Sequence, residues 1–202
     1  MTYTLAKIIR DTRVMLDLNI CERPLIAPER YENLDIDSMI RAVLIPAALE
    51  VMEESDDMLL TPGKPIRALL AWQEGTPGMG MAILPLPDDC LKLIAVKLTD
   101  WCRQAQIKKE TDAEHAWQSS PFPGVRGNPD RPMAFICQRP TGLVAELYSS
   151  NTPNGVGIEY AQYVPKPHVE ADDTIRLPDA IYHDVIVRTA KKVADIIGDA
   201  RQ

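Results

Sequence analysis

The chain has 202 residues, 46% hydrophobic and 25% charged, with 17 Pro and 10 Gly. That suits one globular domain, or a domain with an insertion, and is enough for a real core. The formal net charge of −7 argues against a protein that grips nucleic-acid phosphates, which needs a basic face; it leaves room for DNA that passes without being held.

Leu5, Ile8, Ile9, Thr12 and Leu16 fall at helical spacing with Lys7, Arg10, Asp11 and Arg13 between them, which predicts an amphipathic N-terminal helix. No apolar leader precedes it and no run nears the roughly 20 residues of a membrane span, so a soluble protein made in the cytoplasm is expected. A linker over 19–33 follows, with Pro24 and Pro28. Asp35 or Asp37 can cap a second helix carrying Ile40, Val43, Leu44, Ala47, Ala48 and Val51. Pro46 lies inside that pattern and cannot donate to the Ala42 carbonyl, so a kink or two shorter helices are expected.

From Thr61 the pattern changes to short apolar runs between prolines and glycines, Ala68–Trp72 and Met81–Leu86. After Pro87-Asp88-Asp89, the run Leu91–Leu98 reads as a strand. Three alternating segments, Met133–Gln138, Leu143–Tyr148 and Val156–Val164, are separated by turn-forming residues and predict an antiparallel meander. Pro178 and Asp179 then open a C-terminal helix with the stripe Ile181, Val185, Ile186, Ala190, Val193 and Ile197, and Arg188, Lys191 and Lys192 outside it. The expected fold is α+β: terminal helices, 1–60 and 175–202, pack as a small bundle, and 61–174 form an antiparallel β-rich insertion with a proline-rich loop.

Chemistry is sparsely signalled. Asp112, Glu114 and His115 lie together, with His168 and His183 elsewhere, but no ligand spacing matches a zinc site; Asp112 reads as the cap of a short helix through Trp117, and no metal or cofactor is expected. The cysteines at 21, 90, 102 and 137 form no C-x-x-C pair and read as reduced, buried thiols. Asp88-Asp89 reads as a turn, and neither Gly78-Met-Gly80 nor Gly124-Val-Arg-Gly127 has phosphate-loop spacing, so no enzyme is expected. The distinctive block runs from Trp101 to Pro132. Pro121, Pro123, Pro129 and Pro132 stiffen it, Gly124 and Gly127 allow positive φ, and Arg126 can offer its fork to a carboxylate or phosphate. A surface loop whose Arg126 pairs internally and a subunit contact are both open readings; stiffness favours the contact.

This block resembles the ring-forming head-to-tail connector (adaptor) proteins of tailed bacteriophages of gut Bacteroidales, the crAss-like type. The resemblance rests on Leu86-Pro-Asp-Asp89, Asp100-Trp101 and Gln118-Ser-Ser-Pro-Phe-Pro-Gly-Val-Arg-Gly-Asn-Pro-Asp-Arg-Pro132, and extends through Glu146-Leu-Tyr-Ser149, the Tyr160–Pro165 strand and the Ala-rich last helix. Cys102 after the Trp and the extra Pro123 depart from the pattern. The resemblance implies a non-catalytic virion protein assembled in the host cytoplasm, a closed ring of about twelve copies that contacts the portal and further tail proteins while genome DNA passes through. On that reading Trp101, Trp117 and Phe122 pack or anchor the subunit contact, Arg126 and Arg131 bind acidic groups of a neighbour, and Asn128 belongs to the same surface. The alternative is a non-catalytic β-module that binds carbohydrate or peptide on a platform of Trp101 and Trp117.

Overall fold

The computed structural model describes residues 1–21, 36–60, 63–73, 80–122, 124–150 and 156–199. The fold is α+β, with helices at both termini and a β-rich middle. In chain order the elements are β1 (Thr2–Thr4), α1 (Leu5–Cys21), α2 (Ile36–Glu54), a 3-10 turn (Asp57–Leu60), β2 (Lys64–Pro65), β3 (Ala71–Gln73), β4 (Gly80–Pro85) and β5 (Cys90–Leu98). Then come β6 (Gln106–Lys109), α3 (Ala113–Ala116) with a further 3-10 turn (Trp117–Ser119), β7 (Met133–Arg139), β8 (Gly142–Ser150), β9 (Ile158–Pro165), β10 (Thr174–Arg176) and α4 (Asp179–Asp199). The chain forms two compact units, residues 1–61 with 166–202, and residues 62–165.

In the helical unit, α4 packs on α1 and α2. Its stripe Ile181, Val185, Ile186, Ala190, Val193 and Ile197 is buried throughout, as are Leu5, Ile8 and Leu16 of α1. On the outer side, Arg188 bonds Glu50 and Glu54, and Lys192 bonds Glu50, which ties α4 to α2. β1 and β10 form an antiparallel ribbon. The N-terminal ammonium donates to the Leu177 carbonyl at 2.7 Å, and Tyr3 stacks on Tyr182 with ring centroids 4.0 Å apart.

Of the two outcomes expected at Pro46, two shorter helices are not formed: α2 is one continuous helix with Pro46 inside it. An internal proline costs about 3 kcal/mol, but Leu44, Ala47 and Ala48 beside it are wholly buried, and that burial holds the helix through the missing bond. Asp37 lies in the first turn and accepts from Arg13 of α1 at 2.8 Å, so it links two helices and does not cap. Asp35 lies outside the described residues, as does the linker beyond Cys21, where α1 ends.

The β unit contains a three-stranded sheet, β2-β9-β5, and a five-stranded sheet, β3-β4-β8-β7-β6. Every pair is antiparallel except β6–β7, which is parallel. The expected meander is thus only half formed: β7 and β8 make a hairpin, with Gly142 at φ +117 in its turn, but β9 pairs with β5 and β2. Leu93, Val96, Leu98, Ala161 and Tyr163 of the smaller sheet share one core with Ala82, Leu84, Ala134, Ala145 and Leu147 of the larger. With a period of two, the opposite face of the larger sheet carries Phe135, Cys137 and Val144, packed by Ile83, Met133 and Tyr148. That second face carries the site.

Candidate functional site: a braced loop and a cationic cleft

After β6, the chain turns through α3 and the Trp117–Ser119 turn, then runs through the proline-rich loop into β7. The loop is held by named bonds. Gln118 is buried; its Nε2 donates to the Glu114 carbonyl at 2.9 Å, and its Oε1 accepts from the Gly127 N–H at 2.8 Å. The Phe122 carbonyl accepts from the Val125 N–H at 3.0 Å. Asn128 Oδ1 accepts from the N–H groups of Asp130 and Arg131 at 3.0 and 2.9 Å, closing a tight turn. The turn is sewn to the residues after β5: Cys102 N–H donates to the Pro129 carbonyl, and Arg103 Nε to the Asp130 carbonyl at 2.6 Å.

The glycines act differently from expectation. Among the described residues Gly142 is the glycine with positive φ, so neither Gly124 nor Gly127 uses that freedom. Gly127 is needed for close approach, because a Cβ there would stand 2.9 Å from the Tyr148 carbonyl oxygen and 3.2 Å from Gln118 Oε1.

The aromatic residues divide into inside and outside. Trp101 is 3% exposed and packs in the core shared by the two sheets. Trp117 is 50% exposed and Phe122 69%, with Val125 also exposed. The platform of Trp101 with Trp117 is therefore not formed. A cleft of about 460 Å³ opens beside the loop, with Trp117 on its wall. Arg103, Lys108, Arg126 and Arg131 line it against a single carboxylate, Glu114. Lys108 bonds Glu114 directly, which holds that carboxyl below its ordinary range. Arg126 is half-buried. Arg131 is exposed, and its hydrogen bonds among the described residues are made through its backbone. In a chain of net charge −7, three arginines in addition to the Lys108–Glu114 pair make a local field of opposite sign at this cleft, suited to carboxylates or phosphates.

Beneath this segment lies a polar network that the sequence did not disclose. Glu146 of β8 is 3% exposed. Its carboxylate accepts from Arg139 Nε at 2.9 Å and from Arg139 Nη2, from Tyr148 Oη at 3.0 Å, and faces His115 Nε2 at 3.1 Å. Arg139 also pairs with Glu110. Burial pushes the Glu146 carboxyl up, but the bonds from Arg139, His115 and Tyr148 outweigh it and hold it below its ordinary value. The His115 ring meets Phe135 and Tyr148 edge-on, with centroids 5.0 and 6.3 Å apart. Asp112 stands at the start of α3 without capping it; its carboxylate accepts from the Lys109 N–H at 2.9 Å. The network therefore pins α3, and with it the start of the loop, to the sheet.

Ligand atoms of His115, Cys137 and Glu146 lie within 4.8 Å of one another, a group that could hold a metal ion. The donor chemistry fits poorly. A cation would compete with the bonds that Glu146 already accepts, from Arg139 on one oxygen and from Tyr148 beside His115 on the other, and without a metal burial and the Glu146 charge push the Cys137 thiol up to about 12. The raised value holds Cys137 as the neutral thiol, beside His115 and Glu146, which have the spacing of a base and its orienting carboxylate. The arrangement is a compensated buried charge.

No protein-family model matches the chain, and the search of characterised proteins finds no match to it.

Proposed function

We propose that this protein is a non-catalytic virion component that forms a homo-oligomeric ring in a head-to-tail connector, between portal and tail, with the genome passing through. The observation that carries the reading is Phe122, 69% exposed at the tip of a loop braced by Gln118 and Asn128, with Val125 and Trp117 exposed beside it. A large apolar side chain left in water costs stability, and a braced loop keeps it presented where a slack one would fold it away. The resemblance of the Trp101–Pro132 block to ring-forming connectors supports the same reading, and the acidic net charge suits DNA that slides past unheld. Aromatics and Arg beside one cleft are the usual anchors of a protein contact.

The test is electron microscopy of the purified protein, alone and mixed with the portal protein of the same genome. Annular particles, lost on Phe122→Ala while the monomer keeps its melting temperature, are expected. Monomers in both samples overturn the reading. Monomers that bind glycans or peptide, and lose that binding on Trp117→Ala, would establish the β-module in its place.

A further inference from the structure

The helical unit carries the complement of the cationic cleft. Where α2 ends, Glu53, Glu54, Asp56 and Asp57 are all exposed, and the 3-10 turn that follows presents Met58 at 86% exposure, with Leu59 exposed beside it. This protrusion is built: Ser55 N–H and Oγ both bond the Val51 carbonyl, Leu59 N–H bonds the Asp56 carbonyl at 3.0 Å, and buried Leu60 anchors the far end. Acidic side chains followed by a projecting Met mirror the cleft, where Arg103, Arg126 and Arg131 stand beside Trp117.

We infer that the acidic knob Glu53–Leu59 of one copy docks in the cationic, Trp117-walled cleft of a second copy. The inference rests on the ring reading above and supplies its contact. Charge complementarity selects the occupant, since opposite fields steer two copies together and penalise the cleft-to-cleft and knob-to-knob encounters. Met58 is unbranched and polarisable and fills an irregular aromatic-walled space against Trp117. Knob and cleft are unlike surfaces on the same chain, so the contact is heterologous and repeats from copy to copy, closing where the rotation permits.

The experiment uses the full chain. Assembly is followed by light scattering and micrographs for wild type, Arg131→Glu, the pair Glu53→Lys with Asp56→Lys, and all three changes together, each checked for an unchanged melting curve. Each charge reversal is expected to weaken assembly at least about tenfold, and the combined variant to recover most of it. In parallel, Met58→p-benzoylphenylalanine in a mixture of light and heavy isotope-labelled copies is expected to cross-link between copies to the peptide spanning Trp117–Arg131. Rings that survive both reversals, or cross-links that land elsewhere, overturn the docking and leave the ring reading standing. A wild-type chain that stays monomeric with and without portal removes both.

Discussion

Removing the Glu146 carboxylate tests the account of how the loop is held. The side chain is almost wholly buried and serves three partners, Arg139, His115 and Tyr148. Breaking a buried ion pair from one side costs about 3–5 kcal/mol. Arg139 reaches solvent and keeps Glu110, which puts Glu146→Ala at the lower end, about 3 kcal/mol. Glu146→Gln keeps the shape and an oxygen for Arg139, while its amide N–H can donate to the Tyr148 oxygen or the His115 ring in their acceptor roles, and costs about 1 kcal/mol. A unit of roughly 100 residues loses about 4–8 °C of Tm per kcal/mol, so Glu146→Ala should melt about 12 °C or more below wild type and Glu146→Gln only a few degrees below. All the tryptophans, Trp72, Trp101 and Trp117, lie in the β unit, so their fluorescence reports its unfolding apart from the helical unit.

The pH dependence follows from the sign of the shift. The folded carboxyl titrates below its ordinary 4.5, so the unfolded chain takes up the proton first as pH falls. The contribution of Glu146 is therefore fully present above about pH 5 and fades as pH drops through its folded value. The gap in Tm between wild type and Glu146→Gln should be widest near neutral pH and close in acid. Equal melting of wild type and Glu146→Ala, or a gap that widens in acid, would refute the network as described.

Gly127→Ala should cost about 1–3 kcal/mol by overpacking against the Tyr148 carbonyl, and trypsin should then cut faster at Arg126 in limited proteolysis. Trp101→Ala should destabilise the β unit by about 3–5 kcal/mol, measured by urea unfolding, whereas Phe122→Ala should leave the urea midpoint unmoved. Cys102 is exposed where the sequence predicts a buried thiol, because it lies just past β5 beside the Asn128–Arg131 turn; with a chromogenic thiol reagent it should react in the native protein, while buried Cys90 and Cys137 should react only on unfolding, as mass spectrometry of the labelled peptides would show.

Much of the fold follows from periodicity. The α4 stripe is legible because a spacing of 3.6 puts Ile181, Val185, Ala190 and Val193 on one face, and the β7–β8 hairpin because Arg139-Pro-Thr-Gly142 can do little but turn. Alternation, however, gives the faces of a strand and not its neighbours. β9 looks like a third meander strand, yet it pairs with β5, more than fifty residues earlier in the chain. That α2 runs on through Pro46 and is not split into two shorter helices has a related reason: propensity is local, and the burial that overrides it comes from α4, far along the sequence. The Glu146 network did leave one signal. A period of two puts Val144, Glu146 and Tyr148 on the same face as Phe135 and Cys137, and a carboxylate on an apolar face must have partners; which partners depends on α3 folding back to bring His115 over the sheet.

The residues that set the loop's shape are not those that mark it in the sequence. Prolines, tryptophans and arginines draw the eye, but Gln118 and Gly127 determine the geometry: one is an uncharged side chain buried so that it can hold the loop from both sides, the other a position where any Cβ would collide with β8. Both are anchored to the sheet face that Glu146 organises through His115 and α3. Burying a charged network costs desolvation, and an apolar replacement would pack as well; what the network adds is a directional hold on α3 and on the loop that follows. Phe122 then stays extended in water because its backbone is spoken for on both sides, so the cost of the buried charges and the cost of the exposed ring belong to one design whose product is a rigid, projecting surface.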